Sequence, residues 1–289
     1  MRQLSRKTLD LLYKLTIRSV VDYALPLYAN NLKQTELCRL ENLQYRAAKL
    51  VTGALHFTSK EKLNVELGWE TIQERIKFLG LCLFHKIHVH ETRPMIRKCL
   101  TKPDYEKQHF LRSKGGYLPY PNYNNKFLNS FFPTMSKMWN NLPTSTKCKN
   151  LGDFKAQLKT DIKPERIKHF AVGPNESNSL LTRFRTGRTN LNANRFTLGQ
   201  TDDPSCLCHV SSENSEHYFL DCFLYTVERQ NLFSLVEYLI PFFPKLNKKQ
   251  KFEILTRGIN IDNLEYYHTN KRISLAVQSF ILKTKRFQN

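Results

Sequence analysis

The chain has 289 residues, with 45 Lys or Arg against 25 Asp or Glu, for a formal net charge of +20. Its seven cysteines are an odd number and give no even disulfide framework. Residues 1–25 lack the apolar run of a signal peptide, and no stretch of about 20 apolar residues is present to span a bilayer. The expectation is a reducing setting, nucleus and/or cytoplasm, with no membrane and a polyanionic partner, RNA and/or DNA. A solvated basic surface is the bland alternative.

The hydrophobic pattern predicts a mainly α fold. Residues 6–25 read as a helix with Leu9, Leu12, Leu15, Ile17, Val20 and Val21 at helical spacing, ended by Leu25-Pro26. A second amphipathic helix runs over 33–52 and stops at Gly53. Thr58-Ser-Lys-Glu61 and Thr71-Ile-Gln-Glu74 have the form of capping boxes, opening helices that end at Gly68 and near His90. From 101 to 127 the chain turns to loop chemistry, rich in Tyr, Asn, Pro, Gly and Lys. Phe131 to Leu142 and Asp153 to Leu158 read as short helical segments. After a hinge near Pro164 and Pro174, a basic helix from Ser179 to Thr186 is expected. A helix from about Glu216 to Leu239 carries Cys222, and two more follow over about 248–257 and 268–286.

Within that last third stands Cys206-Leu207-Cys208, then eight residues, His217, four residues, and Cys222. Three thiols and one imidazole in seventeen residues make a Cys₃His set suited to one tetrahedral Zn²⁺, with no position left open. Such a site is structural, because no vacancy remains in which water could be activated. The competing reading is half-buried cysteines beside a surface histidine. Cys82, His85 and His88 also recur every three residues, with His90 close by and Cys99 further on. They lack evident partner ligands and read as a polar helix face.

Charge is unevenly placed. Residues 101–200 hold seventeen Lys or Arg against six Asp or Glu, whereas residues 201–250 hold four against seven. The zinc loop is therefore not the electrostatic handle. Arg183, Arg185, Arg188 and Arg195, just before it, are candidates for phosphate contact, with Arg39, Arg46 and Lys49 on the second helix as the other candidate surface. The aromatic and basic mixture from Tyr105 to Trp139 (Arg112, Lys114, Tyr117, Tyr120, Tyr123, Lys126) could stack on single strands. Phe131, Phe132 and Trp139 in that stretch read instead as core. Asp22 is placed to pair with Arg18 at i, i+4.

Four phrases in order carry a family resemblance: "LLYKLTIRSVVDYALPLY", "LENLQYRAAKLVTGALHFTS" with "ERIKFLGLCLFHKI", "FFPTMSKMWNNLPTSTKCKNLGDFKAQL", and "LLTRFRTGRTNLNANRFTLG" with "CLCHVSSENSEHYFLDCFLYTVER". Together they resemble the region after the polymerase core in non-LTR, jockey-like retrotransposon reverse transcriptases: thumb, extension and terminal zinc knuckle. The resemblance places the knuckle's ligands on Cys206, Cys208, His217 and Cys222, the residues the spacing already selects. It implies a helical thumb-like region over 1–100, an extension over 101–174, and a small zinc-stabilised helical domain over 175–289.

Nucleotidyl transfer needs clustered carboxylates holding two Mg²⁺ ions. The Asp202-Asp203 pair is followed by Pro204 and lacks an apolar strand before it, so it reads as a polar turn, and no endonuclease-like stretch appears. No catalytic residue and no small-molecule substrate are therefore expected. Met1 reads as an internal methionine or the start of a truncated copy. The sequence points to a non-catalytic nucleic-acid-binding fragment; the alternative is a structural or protein-interaction module or a decayed copy.

Overall fold

A computed structural model describes residues 4–89, 94–97, 100, 117, 124–162, 167–260 and 263–287. The fold is mainly α. Among the described residues the only β pairing is an isolated antiparallel bridge between Ser205 and Ser212.

The first predicted helix is interrupted. Arg6–Leu12 is α-helical, Tyr13–Arg18 takes a π-helical turn, and Ser19–Asp22 resumes the α form. The chain then breaks at Ala24, whose φ is +54°. Leu25-Pro26 begins the next helical turn, Leu25–Tyr28, rather than ending the first. Proline suits this place because a first-turn residue needs no amide hydrogen.

The second helix, Gln34–Thr52, stops at Gly53 as expected, and Gly53 sits at φ +64° with its amide on Lys49 O. Any side chain there would be strained, and an added Cβ would fall 2.3 Å from Ser179 Oγ. The next capping residue is Ser59, not Thr58: Ser59 Oγ accepts from Lys62 N, and the helix is Lys60–Leu67. Thr71 and Glu74 form their box in full, with Thr71 N donating to Glu74 Oε2 at 2.8 Å and Glu74 N to Thr71 Oγ1 at 3.2 Å.

The chain divides into two units at places other than the expected boundaries. One unit comprises Met1–Leu12, Tyr45–Gly68 and Glu165–Asn289; the other comprises Tyr13–Gln44 and Trp69–Pro164. The cause is visible in the first unit. Glu66 lies on the buried face of its helix beside Leu63 and Leu67, and a buried carboxylate needs cationic partners. Arg6 supplies one (Nη1 to Oε1, 2.9 Å) and Arg185 another (Nη2 to Oε1, 2.5 Å). Thr182 Oγ1 donates to the same carboxylate at 3.0 Å. Segments far apart in sequence are thereby fixed in one body.

The rest of this unit packs on the helix Tyr267–Lys283, against which Asn175–Thr186, Thr226–Leu239 and Lys248–Arg257 lie. Leu181, Phe184, Tyr218, Phe219, Val236, Phe243 and Val277 fill the centre. Each large apolar side chain buried there contributes roughly 1.5–3 kcal/mol. Asn175–Thr186 begins one turn earlier than its basic residues suggest, right after Pro174.

The second unit is built on Ile72–Val89, which packs against Phe131–Asn140 and Leu151–Ile162. Its core holds Phe84, Phe131, Met135, Trp139 and Phe154, with Phe132 partly buried against it. Asp22 does not pair with Arg18. It takes a two-pronged contact from Arg75, while Arg18 meets Glu70 at 3.4 Å. The planar guanidinium fork of Arg75 matches a carboxylate better than a one-point contact along a single helix does. Tyr117 is buried in this core, and Lys126 is exposed. Tyr105, Arg112, Lys114, Tyr120, Tyr123, His90, Cys99 and Pro164 lie outside the described residues.

Candidate metal centre

Cys206, Cys208, His217 and Cys222 converge, all four buried, with their ligand atoms within 4.8 Å of one another. Cys206 Sγ and Cys222 Sγ are 3.7 Å apart, and Cys208 Sγ is 3.2 Å from His217 Nε2. Two sulfurs on one tetrahedral zinc at about 2.3 Å each stand about 3.8 Å apart. The cluster thus has the dimensions of a four-ligand metal site and could hold one metal ion.

Two local structures aim these atoms. The first is a tight hairpin closed by Cys206 N to Ser211 O at 2.9 Å, and within it His209 N donates to Cys206 O at 2.8 Å. His209 takes φ +59°, which turns the chain so that Cys206 and Cys208 face the same way. The second is a π-helical turn, His217–Asp221, in which Cys222 N donates to His217 O at 2.8 Å. The expected Glu216–Leu239 helix is therefore broken. Cys222 is extended (φ −61°, ψ 121°), and the regular helix begins only at Thr226. The break turns the Cys222 thiol toward the cluster, while Tyr218 and Phe219, fully buried, tie the turn to the core.

A surrounding shell fixes the ligands. Ser211 Oγ lies 2.9 Å from His217 Nδ1, so a proton on Nδ1 donated to Ser211 leaves the Nε2 lone pair facing the cluster. Asn214 Oδ1 accepts from His217 N at 2.8 Å. Glu213, 1% exposed, accepts from Asn192 N and from Arg286 at 2.5 and 2.6 Å, which holds the hairpin's far end.

Burial pushes the Cys206 thiol up to about 12 and raises Cys222 as well. Burial also acts against ionisation of Cys208, but hydrogen bonds from the Val210 backbone, from the Cys206 and Cys222 thiols and from the Ser211 backbone together outweigh it and hold that thiol below its ordinary value. Arg229 stands near Cys222, with its Nη1 buried and without a hydrogen-bond partner. An orphaned guanidinium nitrogen beside a thiol fits a site whose sulfurs carry negative charge, as metal thiolates do.

The other histidine-rich run serves packing. His85 Nε2 reaches Lys149 O at 2.9 Å and its ring lies against Phe154, while His88 Nδ1 meets the Tyr117 hydroxyl at 2.5 Å. Cys82 is buried in the same core. Asp202 and Asp203 are exposed, and Asp203 accepts from Ser205 N in a polar turn.

The basic candidates differ in fate. Arg185 is a correction: its side chain is 2% exposed and engaged by Glu66, so it does not reach a phosphate. Arg183 is half-buried and donates from Nε to Gly53 O at 3.0 Å, and Arg188 and Arg195 are half-buried. Arg39 and Arg46 are exposed, and Lys49 lies over the Tyr45 ring at 4.8 Å. Sequence reasoning missed Glu66, Ser211 and Arg229. Only Glu66 leaves a signal, a charged residue on the Leu63 and Leu67 face of its helix.

No family model, no curated protein and no solved structure matches this chain. The fold and the cluster together define a helical protein with a buried Cys₃His ligand set.

Proposed function

We propose that the chain binds RNA or DNA through its basic helices, that the Cys₃His cluster holds one structural Zn²⁺, and that it carries no polymerase chemistry of its own. The reading makes it a C-terminal portion of a retrotransposon-type reverse transcriptase. What carries it is the set of exposed cations on Gln34–Thr52. Arg39 and Arg46 face solvent, while the acids of that helix serve backbone amides: Glu36 accepts from Lys33 N at 2.8 Å and Glu41 from Ile72 N at 2.9 Å. In a chain of net charge +20, such cations supply phosphate neutralisation. The four-phrase resemblance to the thumb-to-knuckle region supports the same reading. Zinc is the metal named because three sulfurs and one imidazole in a closed tetrahedron suit it.

Mobility shift of the full chain against single- and double-stranded RNA and DNA at several salt concentrations tests this. Binding that weakens steeply with salt is expected, and no shift even at about 50 mM salt overturns it. Primer extension with Mg²⁺ or Mn²⁺ giving product above background overturns the non-catalytic part.

One observation favours a second reading, a protein-interaction module. Leu207, Val210, Phe223, Leu224 and Val227 flank the metal ligands and are 44–70% exposed. Exposed apolar groups of this kind mark contact surfaces for proteins.

A further inference from the structure

Phe57 is an unusual residue to find where it is. Its side chain is 70% exposed and its backbone sits at φ +64°, in the left-handed region that bulky side chains avoid. A glycine or asparagine would hold this turn with less strain and without placing a phenyl ring in water. Strain and exposure at one aromatic point away from folding and toward use.

Its surroundings say which use. Tyr45, on Gln34–Thr52, donates its hydroxyl to Thr58 O at 2.9 Å and so pins the loop that carries Phe57. The Lys49 and Lys60 ammonium groups both lie over that tyrosine ring, 4.8 and 5.9 Å from its centroid. Arg46 is exposed one residue after Tyr45, and the His56 ring lies 6.4 Å from that of Phe57. The acid of this stretch, Glu61, is bonded to Ser59 at the start of the following helix. The loop's other end is held where Arg183 Nε donates to Gly53 O. A flat exposed ring is thus presented by a loop braced through Tyr45, whose own ring carries two ammonium groups.

From this we infer that Phe57 is a stacking platform for an unpaired base, with Lys49, Lys60 and Arg46 taking the flanking phosphates. The ligand class is single-stranded nucleic acid, because in a duplex the base faces are already stacked on one another. The inference rests on the nucleic-acid reading above and deepens it to a strand type and a residue.

The test uses the full chain and compares a short oligothymidylate with a mixed-sequence duplex. Phe57→Ala should weaken single-strand binding by roughly 5- to 140-fold and leave duplex binding unchanged. Phe57→Gly should lose the same affinity while its melting temperature holds or rises, since glycine accepts the left-handed backbone. Phe57→Trp should keep affinity, and its fluorescence should be quenched by the oligothymidylate. The two natural indoles, Trp69 and Trp139, are each 1% exposed and give little competing response. Replacing Lys49 and Lys60 together with Ala should flatten the single-strand salt slope by about 1.4, at about 0.7 per phosphate. If the wild type binds single strands and Phe57→Ala binds them equally well, this inference falls and the nucleic-acid reading stands. Equal losses on both probes also overturn it. If the wild type binds neither probe, both readings fall.

Discussion

Arg185 meets Glu66 through a two-point contact, Nε to Oε2 at 2.9 Å and Nη2 to Oε1 at 2.5 Å, with neither side chain more than 3% exposed. Arg6 closes on the same carboxylate from another part of the chain. Burial alone would raise the Glu66 carboxyl, but the two guanidinium groups outweigh it and hold it below the usual carboxylate range. Removing one member of such a cluster leaves uncompensated charge in the interior.

Glu66→Gln should therefore destabilise the protein by about 3–5 kcal/mol, measured by urea unfolding. Replacing Arg6, Glu66 and Arg185 together with apolar residues of similar volume should recover most of that loss. A triple variant no more stable than Glu66→Gln would show that the cluster does more than satisfy its own charges.

The same contact sets an acid limb of stability. Because the folded-state value of Glu66 is depressed, its stabilisation is fully present above the ordinary carboxylate pKa and is lost as pH falls through the lower folded value. Stability of the wild type should decline over that acid range. In Glu66→Gln the decline should be smaller, as read from unfolding midpoints at a series of acid pH values.

A fragment covering residues 175–289 lacks both Arg6 and Glu66, and Arg185 loses its carboxylate partner and the Phe170 ring it lies over. It should show reduced helicity and a broad, low melting transition by circular dichroism. A sharp, native-like melt of the unaltered fragment would place the source of cohesion elsewhere.

Natively purified protein should contain one equivalent of zinc, and chelation should lower its melting temperature, since bound structural metal contributes folding free energy. Cys222→Ser should abolish stoichiometric metal. Ser211→Ala should keep the metal but weaken it by about 10- to 100-fold, as expected when the partner that orients a ligating histidine is lost.

Replacing Arg39 and Arg46 with Ala should weaken binding to all nucleic-acid sequences alike and reduce the duplex salt slope by about 1.8, at about 0.9 per phosphate. The exposed Arg39 and Arg46 suit this test better than Arg185, whose loss would act through folding. An unchanged slope in the double variant would move the contact surface to Arg183, Arg188 and Arg195.

Helix Gln34–Thr52 and its glycine stop were legible because amphipathic spacing and a positive-φ cap are local signals. The four residues of the Cys₃His cluster were legible for the same reason, lying within seventeen residues. What escaped was settled at long range. Arg185 reads as a surface cation until Glu66, 119 residues away in sequence, is seen to bury it. Asp22 has an obvious partner at Arg18, yet the better-shaped fork of Arg75 comes from 53 residues on. The break at Cys222 was hidden because apolar periodicity continues through it.

The Arg6, Glu66 and Arg185 cluster also sets an order of events during synthesis. The segments carrying Arg6 and Glu66 leave the ribosome well before Arg185 exists. At about 5–20 residues per second, the 119 residues from Glu66 to Arg185 take roughly 6–24 s to make. Through that interval the nascent chain cannot close its first unit, and the helix bearing Glu66 must wait with its carboxylate in water. The Cys₃His cluster and the last helix emerge later still. Assembly of that unit therefore waits until Arg185 has been made, when Leu63 and Leu67 at last find cover.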